Sequence, residues 1–270
     1  MADKSQRRWS LEVVPAHAHR VSVVRGLVEE VFVTMIPGSE IKATLGAIET
    51  IAGQGFTPVP HIAAREFRSE AELDGFFEGI RDLGIRKALL VGGGAGRLAG
   101  PFSETLEVLR SKAFERADLR VVGLAGHPEG NPEDPNSRLS LEKKLQFLHD
   151  AGLGVEIVTQ WSFSPENVSD YIADLRATGV IDPVAVGVAG PASLRTLLKY
   201  AKTCGVTAAK EVLRKQGFSL GRLLMSNNPE AFVAAVQGTN RFQLYPFGGL
   251  EKCAQWLEAQ KAATAGAGSA

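Results

Sequence analysis

Leu119-Arg-Val-Val-Gly-Leu-Ala-Gly-His-Pro-Glu-Gly-Asn-Pro132 and Val155-Glu-Ile-Val-Thr-Gln160 decide the fold. The first is an apolar, β-branched run that breaks into a polar turn rich in glycine and proline. The second is an apolar run ending on an uncharged amide. Between them, residues 139–151 carry apolar side chains at helical spacing and stop at Gly152. A strand, a turn, a helix and a second strand make one β-α-β unit, and both strand ends read as openings onto a site.

The unit repeats in both directions. Upstream, residues 9–15 read as a first strand stopped by Pro15, 21–31 as a helix and 31–36 as a second strand. Ser39 is placed to cap a helix through Ile41, Leu45, Ile48 and Ile51. Residues 56–62 make a third strand, in which Pro58 and Pro60 are awkward. Ser69 caps a helix through Leu73, Phe76, Phe77 and Ile80, and Lys87–Val91 is a fourth strand ending in Gly92-Gly-Gly94. Residues 103–114 form a helix that leads into the opening stretch. Downstream, Ser164-Pro165 starts a helix to Ala177. Residues 183–188 are a seventh strand, and 193–237 are helical with breaks near Gly205, Gly217 and Asn227-Asn-Pro229. Residues 242–247 are an eighth strand and 250–259 a closing helix. Eight β-α units in roughly 250 residues predict a single α/β (β/α)8 barrel, with a doubly wound open sheet as the alternative. Residues 1–261 are expected to be one catalytic domain, and the low-complexity residues 262–270 a disordered tail.

Thirty basic residues balance thirty acidic ones, which gives no electrostatic case for nucleic acid or an anionic membrane. No apolar run approaches the roughly 18 residues of a membrane span, and no signal-peptide core follows the N-terminus. Cys204 and Cys253 are the only cysteines and lack metal-ligand spacing. The reading is a reduced, cytoplasmic protein with no metal site.

In a barrel the site lies at the C-terminal strand ends. There Glu12, between Leu11 and Val13, is the single clear carboxylate inside a strand. Desolvation would raise its pKa and suit it to general-acid work; a solvated face of the strand is the other reading. Gln160 offers a donor and an acceptor to a heterocycle edge, or else satisfies loop backbone. His61 and His127 are candidate ligands or acid-base groups. Gly92-Gly-Gly94-Ala-Gly96 allows close backbone approach but fails the dinucleotide pattern at Arg97. Trp161 either stacks on a ring or packs.

At these residues the chain resembles the methylenetetrahydrofolate reductase family, flavoprotein (β/α)8 barrels of one-carbon metabolism, from about Ser10 to Leu257. Ser10-Leu-Glu-Val-Val-Pro15 is similar to the family's first strand and places its catalytic glutamate on Glu12. Thr34 and Pro60-His61 match flavin-contacting positions. Ala125-Gly-His-Pro-Glu-Gly-Asn-Pro132 resembles the family's Ala-Gly-Tyr-Pro-Glu-Gly-His-Pro, placing His127 and Asn131 at cofactor positions. Asp150-Ala-Gly152 followed by Thr159-Gln160 resembles Asp-Ala-Gly…Thr-Gln, whose glutamine binds the pterin.

The departures touch both the flavin and the folate positions. The family's Arg-Gly-Asp, whose aspartate contacts the pterin, ends here in Gly94. The diphosphate-binding positions correspond roughly to Phe147 and Leu148, with Lys143 and Lys144 one turn earlier. The arginine for the folate tail falls at about Gly249.

The resemblance implies interconversion of 5,10-methylene- and 5-methyltetrahydrofolate, a step of methionine biosynthesis. Glu12 would be the general acid, with Gln160, Trp161 and Gly94 on the folate substrate. NAD(P)H would supply hydride, directly or through FAD. The alternatives are one-carbon transfer without redox chemistry, a folate-binding homologue without catalysis, and an unrelated barrel that cups a phosphate in the glycine turns near Gly190 and Gly248.

Overall fold

Parallel β-branched strands bury both faces, and eight of them here close on themselves. The computed structural model describes residues 7–94, 98–204 and 226–267. The barrel strands are β1 (Arg8–Val13), β2 (Glu30–Val33), β3 (Thr57–Ala63), β4 (Lys87–Val91), β5 (Val121–Gly126), β6 (Gly154–Thr159), β7 (Val184–Ala189) and β10 (Arg241–Tyr245). Each pairs in parallel with its neighbours, and β1 closes the ring against β10. This is the (β/α)8 barrel, not the open sheet. A short antiparallel pair, β8 (Ala192–Ser193) and β9 (Ser226–Asn227), sits outside it.

The helices form where apolar residues recur at helical spacing. In α2 (Glu70–Asp82), Leu73, Phe76, Phe77 and Ile80 are all buried, and each such side chain stabilises the fold by about 1.5–3 kcal/mol. Ser69 caps α2 by accepting from the Glu72 N–H. Ser164 does the same for α6 (Pro165–Ala177), accepting from the Asn167 N–H. The other helices are α1 (Ile41–Gly53), α3 (Thr105–Leu109), α4 (Lys112–Glu115), α5 (Ser137–Asp150), α7 (Leu194–Cys204), α8 (Glu230–Ala235) and α9 (Leu250–Ala267).

Several local expectations change. Residues 21–31 are not a helix; a 3-10 helix spans Pro15–Val24, with Pro15 in its first turn. Ser39 does not cap α1, because its hydroxyl donates to the Ile36 carbonyl. The helix expected over 103–114 breaks at Ser111, whose hydroxyl caps α4 through the Phe114 N–H. The region 193–237 contains α7, β9 and α8, and residues 205–225, with the expected break at Gly217, lie outside the described residues. The closing helix α9 continues through Ala267.

The prolines of β3 are accommodated by register. Thr57 donates its N–H to Glu29 on the β2 side, so alternation turns the imide nitrogens of Pro58 and Pro60 toward β4. The β3–β4 ladder begins only at His61, beyond both prolines.

Inside the barrel, alternate strands contribute layers of side chains. At the N-terminal end the layer is charged: Glu30 of β2, Lys87 of β4, Glu156 of β6 and Arg241 of β10. Lys87 Nζ reaches both Glu30 oxygens at 2.8 Å and Glu156 Oε2 at 2.6 Å, and Arg241 donates to Glu156 Oε1 at 3.0 Å. Glu156 is thus a second carboxylate inside a strand, and more buried than Glu12, with a side chain 6% exposed. Two residues further along the same strand faces stand Phe32, Leu89, Val158 and Gln243, and the first three join Val59 and Ala185 in a separate inner apolar cluster. The Lys87 ammonium lies 5.6 Å from the centre of the Phe32 ring.

Removing Lys87 from this partly buried set leaves the buried Glu156 with uncompensated charge. Lys87→Met is expected to destabilise the protein by about 3–5 kcal/mol in urea denaturation. A loss below about 1 kcal/mol would show that the charged layer is not a structural element.

Candidate active site

Glu12 ends β1 at the C-terminal mouth, pointing inward as the alternation from Ser10 requires. Thr34 Oγ1 donates to Glu12 Oε1 at 3.1 Å, and Gln243 Nε2 donates to Glu12 Oε2 at 3.0 Å. The side chain is only 16% exposed. Burial raises its pKa from 4.5 to about 7, and the bonds from Thr34 and Gln243 oppose the rise without cancelling it. A carboxyl with that pKa is a proton donor matched to neutral pH.

His61 Nε2 lies 3.4 Å from Glu12 Oε2, outside hydrogen-bond geometry. Burial pushes the imidazole down to about 4, so His61 is neutral at pH 7 and the pair is not a salt bridge. The ring edge meets Phe32, with centroids 6.3 Å apart. Glu12, Thr34 and His61, far apart in sequence, therefore converge. Gln243 joins them without having been singled out in the sequence. Its signal was the one that marked Glu12: a polar side chain flanked by apolar residues, here Phe242 and Leu244.

The remaining candidates follow β4, β5 and β6. Gln160 follows β6, half-buried, with its N–H donated to the Gly126 carbonyl at 2.8 Å. Trp161 is 2% exposed and packs edge-on against Phe163 and Phe247, both at 5.1 Å. It sits in a core cluster with Ala189, Ala192, Leu197 and Ala201. Gly94 follows β4, and a Cβ built there would stand 3.8 Å from Glu66 Oε1, in ordinary contact. Residues 95–97, including Arg97, lie outside the described residues. His127 is held below its ordinary pKa by burial and by Lys144. Asn131 spends its side-chain oxygen on the Glu133 N–H at 3.0 Å. Of the two lysines on α5, Lys143 is exposed and Lys144 half-buried, with burial lowering the Lys144 pKa against the pull of Asp134 and Glu104. Ser162 donates to Glu129, tying the β5 and β6 loops together.

The glycine turns read as a phosphate cup are filled by protein. A Cβ on Gly190 would lie 2.6 Å from the Cys253 sulfur, and one on Gly248 would overlap the Pro191 carbonyl oxygen. These glycines permit two loops to touch. A cavity of about 290 Å³ does exist, lined by Arg8, Ser10, Glu30, Glu156 and Arg241 among others. It opens beneath the charged layer, at the opposite end of the barrel from the strand ends that carry function in this architecture. Among the described residues no cluster of three or more His, Cys, Asp or Glu side chains stands at metal-ligating spacing, and no helix is long and apolar enough to cross a membrane.

A family model described as methylenetetrahydrofolate reductase matches residues 13–216, well over half the chain. The chain belongs to the methylenetetrahydrofolate reductase family. The matched span begins one residue after Glu12. Methylenetetrahydrofolate reductase 2 of Saccharomyces cerevisiae is 30% identical over 92 residues, 33% of this chain and 15% of that protein. A probable methylenetetrahydrofolate reductase (NADPH) of Caenorhabditis elegans is 25% identical over 108 residues, 40% of this chain and 16% of that protein. The matched stretch is thus under a fifth of either relative. Among solved structures, dihydropteroate synthase from Thermus thermophilus in complex with 6HMPPP superposes with a TM-score of 0.53 at 14% identity, covering 96% of this chain and 94% of that one. At that identity the likeness is one of fold.

Burial of Glu12 has a thermodynamic signature. Between pH 4.5 and about 7 the native carboxyl keeps a proton that the unfolded chain has released. Stability therefore falls as pH rises through that window, by up to about 3 kcal/mol. His61 acts with opposite sign: the unfolded imidazole binds a proton below 6.5 that the native one refuses down to about 4, so its share is lost as pH falls. Glu12→Gln is expected to be more stable than the parent by about 1–3 kcal/mol at pH 8. The advantage should shrink toward pH 5 in urea denaturation. An advantage equal at both pH values would show that desolvation of the carboxylate is not its source.

Proposed function

We propose that this barrel interconverts 5,10-methylene- and 5-methyltetrahydrofolate, taking hydride directly from a reduced nicotinamide. The observation that carries the reading is the half-buried carboxyl of Glu12, held by Thr34 and Gln243 and poised at about 7. Opening the five-membered ring of the substrate to an iminium needs a proton on the departing nitrogen. Glu12 supplies it as general acid. Gln160, at the end of β6, presents an amide to the pterin edge and orients the iminium carbon toward the hydride donor. Neutral His61 bounds the acid without adding charge, which keeps the proton available at neutral pH.

The residues present fit a tightly held flavin poorly. Thr34 Oγ1 is committed to Glu12, and Asn131 Oδ1 to its own turn. Arg65, beside the glycine turn after β4, is bound to Glu133 at 2.8 Å and to the Ser103 carbonyl at 2.9 Å. Of the α5 cations among the described residues, Lys143 is exposed and Lys144 is half-buried, with burial already disfavouring its charge. No step is therefore routed through flavin. A cytoplasmic setting and a place in methionine biosynthesis belong to the same reading.

The test is consumption of NADH or NADPH with methylenetetrahydrofolate by protein whose visible spectrum shows no flavin band. Glu12→Gln should lower kcat by about 10²–10⁴-fold. The parent rate should fall as pH rises past about 7, because the acid must be protonated. Turnover that requires added FAD would sink direct transfer. Folate binding without nicotinamide consumption would leave a hydride-free role.

A further inference from the structure

Gln243 is fully buried, and its two amide atoms are treated unequally. Nε2 donates to Glu12 Oε2 at 3.0 Å, whereas Oε1 is a buried acceptor with no partner among the described residues. An unmet buried acceptor costs about 1–3 kcal/mol, so its retention needs a reason. The reason is at hand in its neighbour. Glu12 accepts hydrogen bonds when ionised and must donate one when protonated. A primary amide serves both needs, because turning it over exchanges donor for acceptor in nearly the same volume.

We infer that Gln243 is the positioning residue of Glu12: Nε2 holds the ionised carboxylate and, with the amide turned over, Oε1 holds the protonated acid. The carboxyl thereby keeps one orientation before and after proton transfer. Thr34 complements it on the other oxygen, since a hydroxyl also donates or accepts by rotation. The groups facing Glu12 are Thr34 after β2, His61 of β3 and Gln243 of β10, and His61 is neutral across the relevant range. The charged layer of Glu30, Lys87, Glu156 and Arg241 lies one step down the barrel, behind Phe32 and Leu89.

The inference rests on the general-acid role proposed for Glu12, but its test needs no substrate. The side-chain amide resonances of Gln243, assigned by their loss in Gln243→Met, are expected to shift with pH at the midpoint of the Glu12 carboxyl carbon. They should stop shifting in Glu12→Gln. Because a bond to a carboxylate is about twice as strong as one to a neutral acid, Gln243→Met should raise the Glu12 midpoint by about one pH unit, a tenfold gain in proton affinity. Amide resonances indifferent to pH, or a midpoint unmoved in Gln243→Met, would overturn the inference. Should that variant not fold, Gln243→Glu places two carboxyls about 3 Å apart, and the Glu12 transition should split into two steps. A single unchanged step would again overturn it. In a reductase assay the alkaline limb should move with the carboxyl midpoint. An intact amide titration with no folate turnover would sink the proposed reaction and leave the positioning role standing.

Discussion

A closed parallel barrel admits inward side chains only in layers drawn from alternate strands, and each layer must settle its own polarity away from bulk water. This chain places charge in two of them. Near the N-terminal end, Glu30, Lys87, Glu156 and Arg241 alternate in sign around the ring, and direct ion pairs match their charge. Near the C-terminal end stands Glu12, whose partners among the described residues are neutral: a hydroxyl, an amide and an uncharged imidazole. The same residue type is thus stabilised as an ion at one end and held toward its acid form at the other.

The inner apolar cluster is what keeps these two environments apart. Phe32, Val59, Leu89, Val158 and Ala185 fill the barrel between them. Were Lys87 or Arg241 to reach the upper layer, Glu12 would gain a cation and become a permanent carboxylate, useless as an acid near neutrality. Phe32 holds the Lys87 ammonium against its face, on the side away from the mouth. Packing in the middle of the barrel is therefore part of the acid chemistry at its end.

Much of this was legible in the sequence, for physical reasons that differ by residue. The strands were readable because short continuous apolar runs ended in Gly, Pro and Asn turns, and Lys87–Val91 was placed to the residue. Ser69 and Ser164 announced helix starts because a cap needs only a local hydroxyl. Ser39 carried the same signal, but its hydroxyl found the Ile36 carbonyl instead, a competition between local bonds that composition does not rank. Glu12 and His61 stood out as polar residues at strand ends, the resemblance added Thr34, and the geometry brings the three together. The charged layer was missed because its members sit where a strand begins, as Lys87 and Arg241 do, and read there as solvated ends. Their pairing spans 57 to 85 positions in sequence, and only barrel closure reveals it. Gln243 was missed because an amide inside Phe-Gln-Leu-Tyr carries no charge to arrest the eye.

Proton donation and hydride supply make separate demands on a barrel. An acid needs burial and an aligned pair of hydrogen bonds, which Glu12 has from the strand residue Gln243 and from Thr34 just after β2. A dinucleotide needs convergent cations at loop and helix ends, which lie outside the sheet and can change without disturbing its register. Among the described residues Glu12 has its strand-borne partners, whereas on the loop and helix side Arg65 is bound to Glu133, Lys143 is exposed and Lys144 is half-buried. Under the proposed reaction, the carbon that receives hydride is fixed by contacts to the pterin. The donor therefore has to meet only a geometric condition at that carbon, and a transiently bound nicotinamide satisfies it without a resident diphosphate clamp.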